Sequence, residues 1–186
     1  MRTSFTNGVI VIRPFQPTDI PSFFSAVCSS AEILGRWMPW CHADYSIEEA
    51  EAWLTTCQKE WLQCTSYPFL VFEPNTNEVI GSVDINQINR DHSFGNIGYW
   101  ISSSHTRRGI ATAAVKMVAH FGFTELGLTR LEIVAVVENI ASRRVAEKVG
   151  AKLECIARNR LVGWGKPHEA AVYSLIPTDI PKDIEG

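Results

Sequence analysis

The chain has 186 residues, 46% of them hydrophobic and 20% charged, which suits one domain with a full-sized core and excludes a disordered or collagen-like chain. A net charge of -3 argues against nucleic acid as a partner, because affinity for a phosphate backbone is carried by clustered Lys and Arg. Residues 1–8 lack the apolar run of a signal peptide, and no later stretch reaches the roughly 18 apolar residues of a membrane span, so a cytoplasmic location with no membrane partner is expected.

Gly and Pro are spread evenly, with no linker, charge block or repeat, and a single domain over residues 8–177 is expected, flanked by terminal segments 1–7 and 178–186. The apolar run Val9 to Arg13 predicts a strand stopped by Pro14, and Pro17-Thr18-Asp19 opens a helix through Phe23, Phe24 and Val27. Ser46-Ile47-Glu48-Glu49 is a capping box, and the helix after it carries Ala50, Trp53, Leu54, Cys57 and Trp61 on one stripe. Two β-rich runs, 69–72 and 79–85, flank the turn sequence Pro74 to Glu78 and predict a hairpin. The polar loop Asn89 to Ser93 leads to a third strand, 96–101. Residues 131–137 alternate like a strand, 140–149 read as a helix with Gly150 as its C-cap, and two strands around 153–161 and 170–176 close the sheet before Pro177 and Pro181.

The chemistry concentrates between Tyr99 and Thr112, where a strand ends, a polar turn follows and a helix begins at a glycine. Ile110, Ala113, Ala114, Met117, Val118 and Phe121 form an amphipathic stripe, so the helix starts at Thr106-Arg107-Arg108-Gly109. A helix start offers unpaired amides and about half a positive charge, the two arginines add full charges, and Gly109 lets a phosphate approach the backbone. Strand, helix and strand make a βαβ crossover, so 96–101 and 131–137 should be parallel neighbours whose C-terminal ends flank the anion site. A diphosphate-bearing cofactor or a merely solvated helix end both satisfy this pattern. GxxxxGK[ST] and GxGxxG are both missing, which disfavours a P-loop or a dinucleotide fold.

Thr106-Arg107-Arg108-Gly109-Ile110-Ala111 resembles the pyrophosphate loop Q/R-x-x-G-x-G/A of the GCN5-related N-acetyltransferase (GNAT) superfamily, departing only at Thr106. Residues Glu138 to Ala151 resemble the N-x-x-S-x-R-V-x-E-K-x-G-F segment of the RimJ/RimL-like branch, which acetylates protein N-termini, with Ala151 in place of Phe. Ile97 to Ile101, Trp37-Met38-Pro39-Trp40 and Ala171 to Leu175 extend the resemblance over almost the whole chain. It implies an α+β fold of GNAT type, with a mixed, strongly twisted sheet splayed between the strands ending at Ile101 and Val137. It also implies acetyl-CoA as co-substrate, lying in the splay, and a homodimer, a common state among such relatives.

By the same resemblance the amine attacks the thioester directly. The backbone N–H near Ile101 and Ser102 would hold the thioester carbonyl, residues Thr106, Arg107, Arg108, Gly109, Ile110, Ala111 and Thr112 the pyrophosphate, and Asn139 the pantetheine or a water. Ser142 matches the residue proposed to protonate the thiolate, although a serine there also reads as a helix N-terminal residue. Tyr173 competes for that role or is structural. No carboxylate stands at Ser66-Tyr67-Pro68, where some RimL-like enzymes carry a glutamate, and Asp84 is the surviving base candidate, facing a cleft with Asn86 or bridging within the sheet. A weak base suits an α-amine, whose pKa of about 7.7 to 8.0 leaves a fair fraction neutral, whereas deprotonating lysine costs roughly 3 to 4 kcal/mol.

The five cysteines (Cys28, Cys41, Cys57, Cys64, Cys155) lack CxxC spacing and read as reduced small hydrophobes, and no metal is expected because the five histidines lack paired ligand spacing. Arg143, Arg144 and Lys148 face either the 3′-phosphate of CoA or solvent. Trp37, Trp40, Trp53 and Trp164 line the acceptor pocket or belong to the core. The resemblance implies as acceptor the N-terminal α-amine of a protein such as a ribosomal protein, with a small amine such as a polyamine, aminoglycoside or metabolite as the alternative. A non-catalytic acyl-CoA-binding module is the remaining alternative.

Overall fold

The computed structural model describes residues 2–180, so Pro181 and most of the terminal segment 178–186 lie outside the described residues. Eight strands form one mixed sheet: β1 (Phe5–Thr6), β2 (Val11–Arg13), β3 (Tyr67–Phe72), β4 (Val79–Asn89), β5 (Phe94–Ile101), β6 (Arg130–Val136), β7 (Lys152–Gly163) and β8 (Lys166–Leu175). Their spatial order is β1-β2-β3-β4-β5-β6-β8-β7, with every neighbouring pair antiparallel except β5 and β6. The helices are α1 (Ile20–Cys28), α2 (Ala31–Leu34), α3 (Ile47–Gln63), α4 (Ile110–Thr124) and α5 (Ile140–Lys148). Among the described residues no helix is long and apolar enough to cross a membrane.

Period-2 alternation divides the core between the two sheet faces. Phe69, Val83, Ile85, Ile97, Leu131 and Ile133 pack with the α4 stripe of Ile110, Ala114, Met117, Val118 and Phe121. Leu70, Phe72 and Trp100 project the other way, against Phe23 and Val27 of α1 and Leu54 of α3. Ser82, Asp84 and Asn86 share this second face, as the flanking Val83 and Ile85 require.

The sheet begins earlier than the sequence led us to expect. Thr6 pairs with Val11, and Phe5 is buried against Phe69 and Phe121, so part of segment 1–7 joins the fold. The closing hairpin is also longer, because β7 and β8 pair as far as Gly163 and Lys166 and leave Trp164-Gly165 as the tip. The capping box of α3 is present, with Ser46 Oγ accepting from the Glu49 amide and Glu49 from the Ser46 amide. Gly150 follows α5 at φ 95°, and its amide donates to the Glu147 carbonyl at 3.1 Å, a left-handed stop that favours glycine.

The expected crossover positions the site. β5 and β6 pair in parallel only from Phe94 to Asn96, against Arg130 to Glu132, and then part. α5 begins just past β6 and lies beside the gap.

Candidate active site

The N-terminus of α4 differs from those of α3 and α5. Ser46 caps α3 and Asn139 Oδ1 caps α5 by accepting from the Ser142 amide at 3.1 Å, whereas α4 opens at Gly109 with no side-chain cap. Its first amides, of Ile110, Ala111 and Thr112, are therefore available to an anion. Arg107 and Gly109 both have left-handed φ, 62° and 78°, which curls the turn into a nest of amides, and the space where a Cβ of Gly109 would stand is open. Arg108 is held 3.8 Å from Glu73, and Thr106 Oγ1 donates to the Ser103 carbonyl, closing the turn from behind.

Antiparallel pairing with β4 directs the amides of alternate β5 residues away from the splay. Ser102 N–H continues that series by donating to the Ile80 carbonyl at 2.8 Å. Ser102 is therefore not an amide donor to a ligand in the splay, which corrects half of the expectation for the pair. The N–H of Ile101 has the opposite direction, facing the gap where β6 has already left. Ser102 Oγ instead bonds His105 Nδ1 at 2.9 Å and stabilises the turn.

Across the gap, the Tyr99 hydroxyl lies 2.9 Å from Ser142 Oγ and 3.0 Å from the Ser142 carbonyl oxygen. Burial pushes the Tyr99 phenol up to about 12, outweighing the bond to Ser142, so it keeps its proton at neutral pH. Capping of α5 falls to Asn139, which leaves Ser142 Oγ to Tyr99. Tyr173 is fully buried, and its hydroxyl accepts from Arg143 Nε and donates to Glu147 Oε1, each at 3.3 Å. Arg143 also donates to the Val137 carbonyl, so its guanidinium is tied to the end of β6 and to Tyr173 while staying partly open to solvent.

On the opposite face of β4 and β5 lies a cavity of about 460 Å³ whose lining includes Asp84, Asn86, Glu60, Trp40, Trp53 and Trp100. Trp37 also lines it, but Trp164 does not, because its indole N–H donates to the Gly35 carbonyl. Asp84 lines this cavity and also bridges within the sheet to Asn86, so both readings of it hold in part. Desolvation is the main cause that pushes its carboxyl up to about 6, the bond from Asn86 Nδ2 opposes this, and the nearby Glu60 charge adds to the rise. Asn86 is held in turn by Asn96 Nδ2 at 3.0 Å, while Asn96 Oδ1 is buried without a hydrogen-bond partner.

Sequence reasoning missed Tyr99 and Glu60. Tyr99 was legible as the residue two before Ile101, on the same face of the splayed strand. Glu60 gave no signal, because it comes from the last turns of α3 rather than from the strand searched for a carboxylate. Among the described residues no three His, Cys, Asp or Glu side chains are grouped to hold a metal.

Residues 10–152 match the acetyltransferase (GNAT) domain, and the chain therefore belongs to the GNAT acetyltransferase family. It is 29% identical to YdaF of Bacillus subtilis, provisionally named a ribosomal N-acetyltransferase, over 95% of this chain and 96% of that one. A Vibrio cholerae structure solved under the provisional name of a ribosomal-protein-serine acetyltransferase has a TM-score of 0.83 at 31% identity, covering 94% of this chain and 97% of its own. Mycobacterium smegmatis RimJ in complex with CoA-disulfide shares the fold, with a TM-score of 0.86 at 23% identity over 98% and 90% of the two chains. The protein is an N-acetyltransferase that uses acetyl-CoA. The uncapped α4 amides, the open space at Gly109 and the unpaired edge of β5 fit that co-substrate.

Proposed function

We propose that this enzyme acetylates the α-amine of a polypeptide N-terminus, as the names of its ribosomal-protein-acetylating relatives suggest, in the cytoplasm where such chains are made. The observation that carries the reading is Asp84, a carboxyl pushed up to about 6 in a cavity beside the splay. Such a base lies nearer in pKa to an α-ammonium of about 7.7 to 8.0 than to a lysine ammonium of about 10.4, which favours the α-amine.

Acetyl-CoA supplies an activated thioester. The amides of Gly109, Ile110, Ala111 and Thr112, with Thr106, Arg107 and Arg108 around them, hold its pyrophosphate, and the Ile101 N–H polarises the thioester carbonyl. Asp84 accepts the proton lost by the attacking amine as the new C–N bond forms. Ser142 donates its Oγ proton to sulfur as the C–S bond breaks. Tyr99 then returns a proton to Ser142 Oγ, to which it is already hydrogen-bonded, and solvent in the cavity that Tyr99 and Asp84 both line restores the Tyr99 proton and takes up the Asp84 one before the next turnover. Asn139 supports this by fixing the first turn of α5, and Tyr173 supports it by locking Arg143 and Glu147 of the same helix.

The test is thiol release from acetyl-CoA with free-N-terminal peptides, their N-terminally blocked lysine-containing versions, polyamines and aminoglycosides. Turnover confined to free N-termini is expected. Turnover only with small amines would replace the substrate and keep the chemistry, and tight acetyl-CoA binding without turnover on any amine would reduce the chain to a binding module.

A further inference from the structure

The acceptor cavity has two unlike ends. The pairing of β4 with β5 sets its levels: Asn86 opposite Asn96, Asp84 opposite Gly98, then Ser82 opposite Trp100. The first two levels are polar, and Glu60 adds its carboxylate near Asp84. The Trp100 level is aromatic. Its ring lies 5.9 Å from Phe23 and 6.4 Å from Trp40, Phe23 stacks on Trp53 at 4.5 Å with an interplanar angle of 2°, and Trp40 meets Tyr45 at 6.0 Å. Met38 and Leu161 add further apolar lining.

Phe23 and Trp100 are buried, so this wall is set by the core before any ligand arrives, while Trp40, 43% exposed, stands at the rim. Both carboxylates sit together at the amine end. An apolar group at the aromatic end would exchange water for preformed aromatic surface.

From this division we infer that the acceptor carries a bulky apolar or aromatic group next to its amine, so that peptides beginning with Phe, Leu or Met are favoured over those beginning with Ser or Ala. The inference rests on the N-terminal reading above and narrows it. The aromatic end is a specificity pocket for the first side chain, and Trp40 is its rim residue.

Steady-state kcat/KM is measured at saturating acetyl-CoA for peptides identical after the first residue (Phe, Leu, Met, Ser or Ala), together with phenethylamine, ethanolamine and spermidine. The apolar-first peptides are expected to exceed the Ser and Ala peptides by about tenfold or more, with Trp40→Ala compressing the ratio to about threefold or less. Equal rates across the peptides, or a preference for Ser or Ala, would overturn the inference and leave the N-terminal reading standing. Inert peptides with phenethylamine strongly preferred over ethanolamine and spermidine would overturn the N-terminal reading and keep the aromatic pocket. Spermidine as the best acceptor would overturn both.

Discussion

Asp84 stands directly across from Gly98 in the β4–β5 ladder, and a Cβ on Gly98 would lie 2.5 Å from Asp84 Oδ1 and 3.2 Å from Asn86 Nδ2. The missing side chain is what lets the carboxylate lie flat over the neighbouring strand. Gly98→Ala should therefore displace Asp84 and its Asn86 partner together. We expect a stability loss of about 1 to 3 kcal/mol and a larger fractional loss in kcat/KM for the acceptor than in acetyl-CoA affinity. Comparing denaturant midpoints with acetyl-CoA titrations checks this, and a variant that turns over normally would show that the carboxylate position is unimportant.

Asp84 also carries a cost to the fold. Its carboxyl is raised from 3.8 to about 6 in the folded chain, so the native state binds its proton more tightly than the unfolded state. Stability from this group is full below about pH 3.8 and is lost as pH rises to about 6, amounting to at most about 3 kcal/mol at neutral pH. Asp84→Asn should therefore melt higher than the parent at pH 8 and lose most of its activity. In the parent, kcat/KM for the acceptor should rise through about pH 6, and in the variant that limb should disappear. A variant that melts lower at pH 8 would contradict the assignment.

The Tyr99 hydroxyl touches both oxygens of Ser142, and the two residues should behave as a unit. Ser142→Ala is expected to lower kcat by about a hundredfold and Tyr99→Phe by about tenfold, with KM for acetyl-CoA little changed. The double variant should be no slower than Ser142→Ala alone. Additive losses in that cycle would mean that Tyr99 acts independently.

At the start of α4, Gly109→Val would put a β-branched side chain at φ 78° and into the open space beside the proposed phosphate-binding amides. We expect about 1 kcal/mol or more of lost stability and KM for acetyl-CoA raised at least about tenfold, with kcat of the saturated enzyme close to the parent. A fall in kcat at unchanged KM would remove Gly109 from the binding site.

Much of this arrangement was legible in the sequence because local patterns report it. The α4 stripe, the Ser46 capping box, and the alternation that sends Asp84 one way and Val83 and Ile85 the other each depend on residues a few positions apart. The extent of the splay was not, because nothing local tells β5 to leave β6 after Asn96. Nor was the bond from Ser102 N–H to Ile80, which depends on the register of two strands. Glu60 and Tyr99 acquire their surroundings only through packing, Glu60 by the angle of α3 and Tyr99 by the approach of α5. The residues that sequence reasoning misplaced are those whose partners lie on another element.

The bare end of α4 links folding to metabolism. α3 and α5 finish their first turn with side-chain caps whereas α4 leaves its first amides bare, and a ligand that binds the native chain alone raises its stability by RT ln(1 + [L]/Kd), about 2.7 kcal/mol at a hundredfold excess over Kd. Acetyl-CoA should therefore raise the melting temperature of this protein and slow its proteolysis as its concentration climbs above Kd.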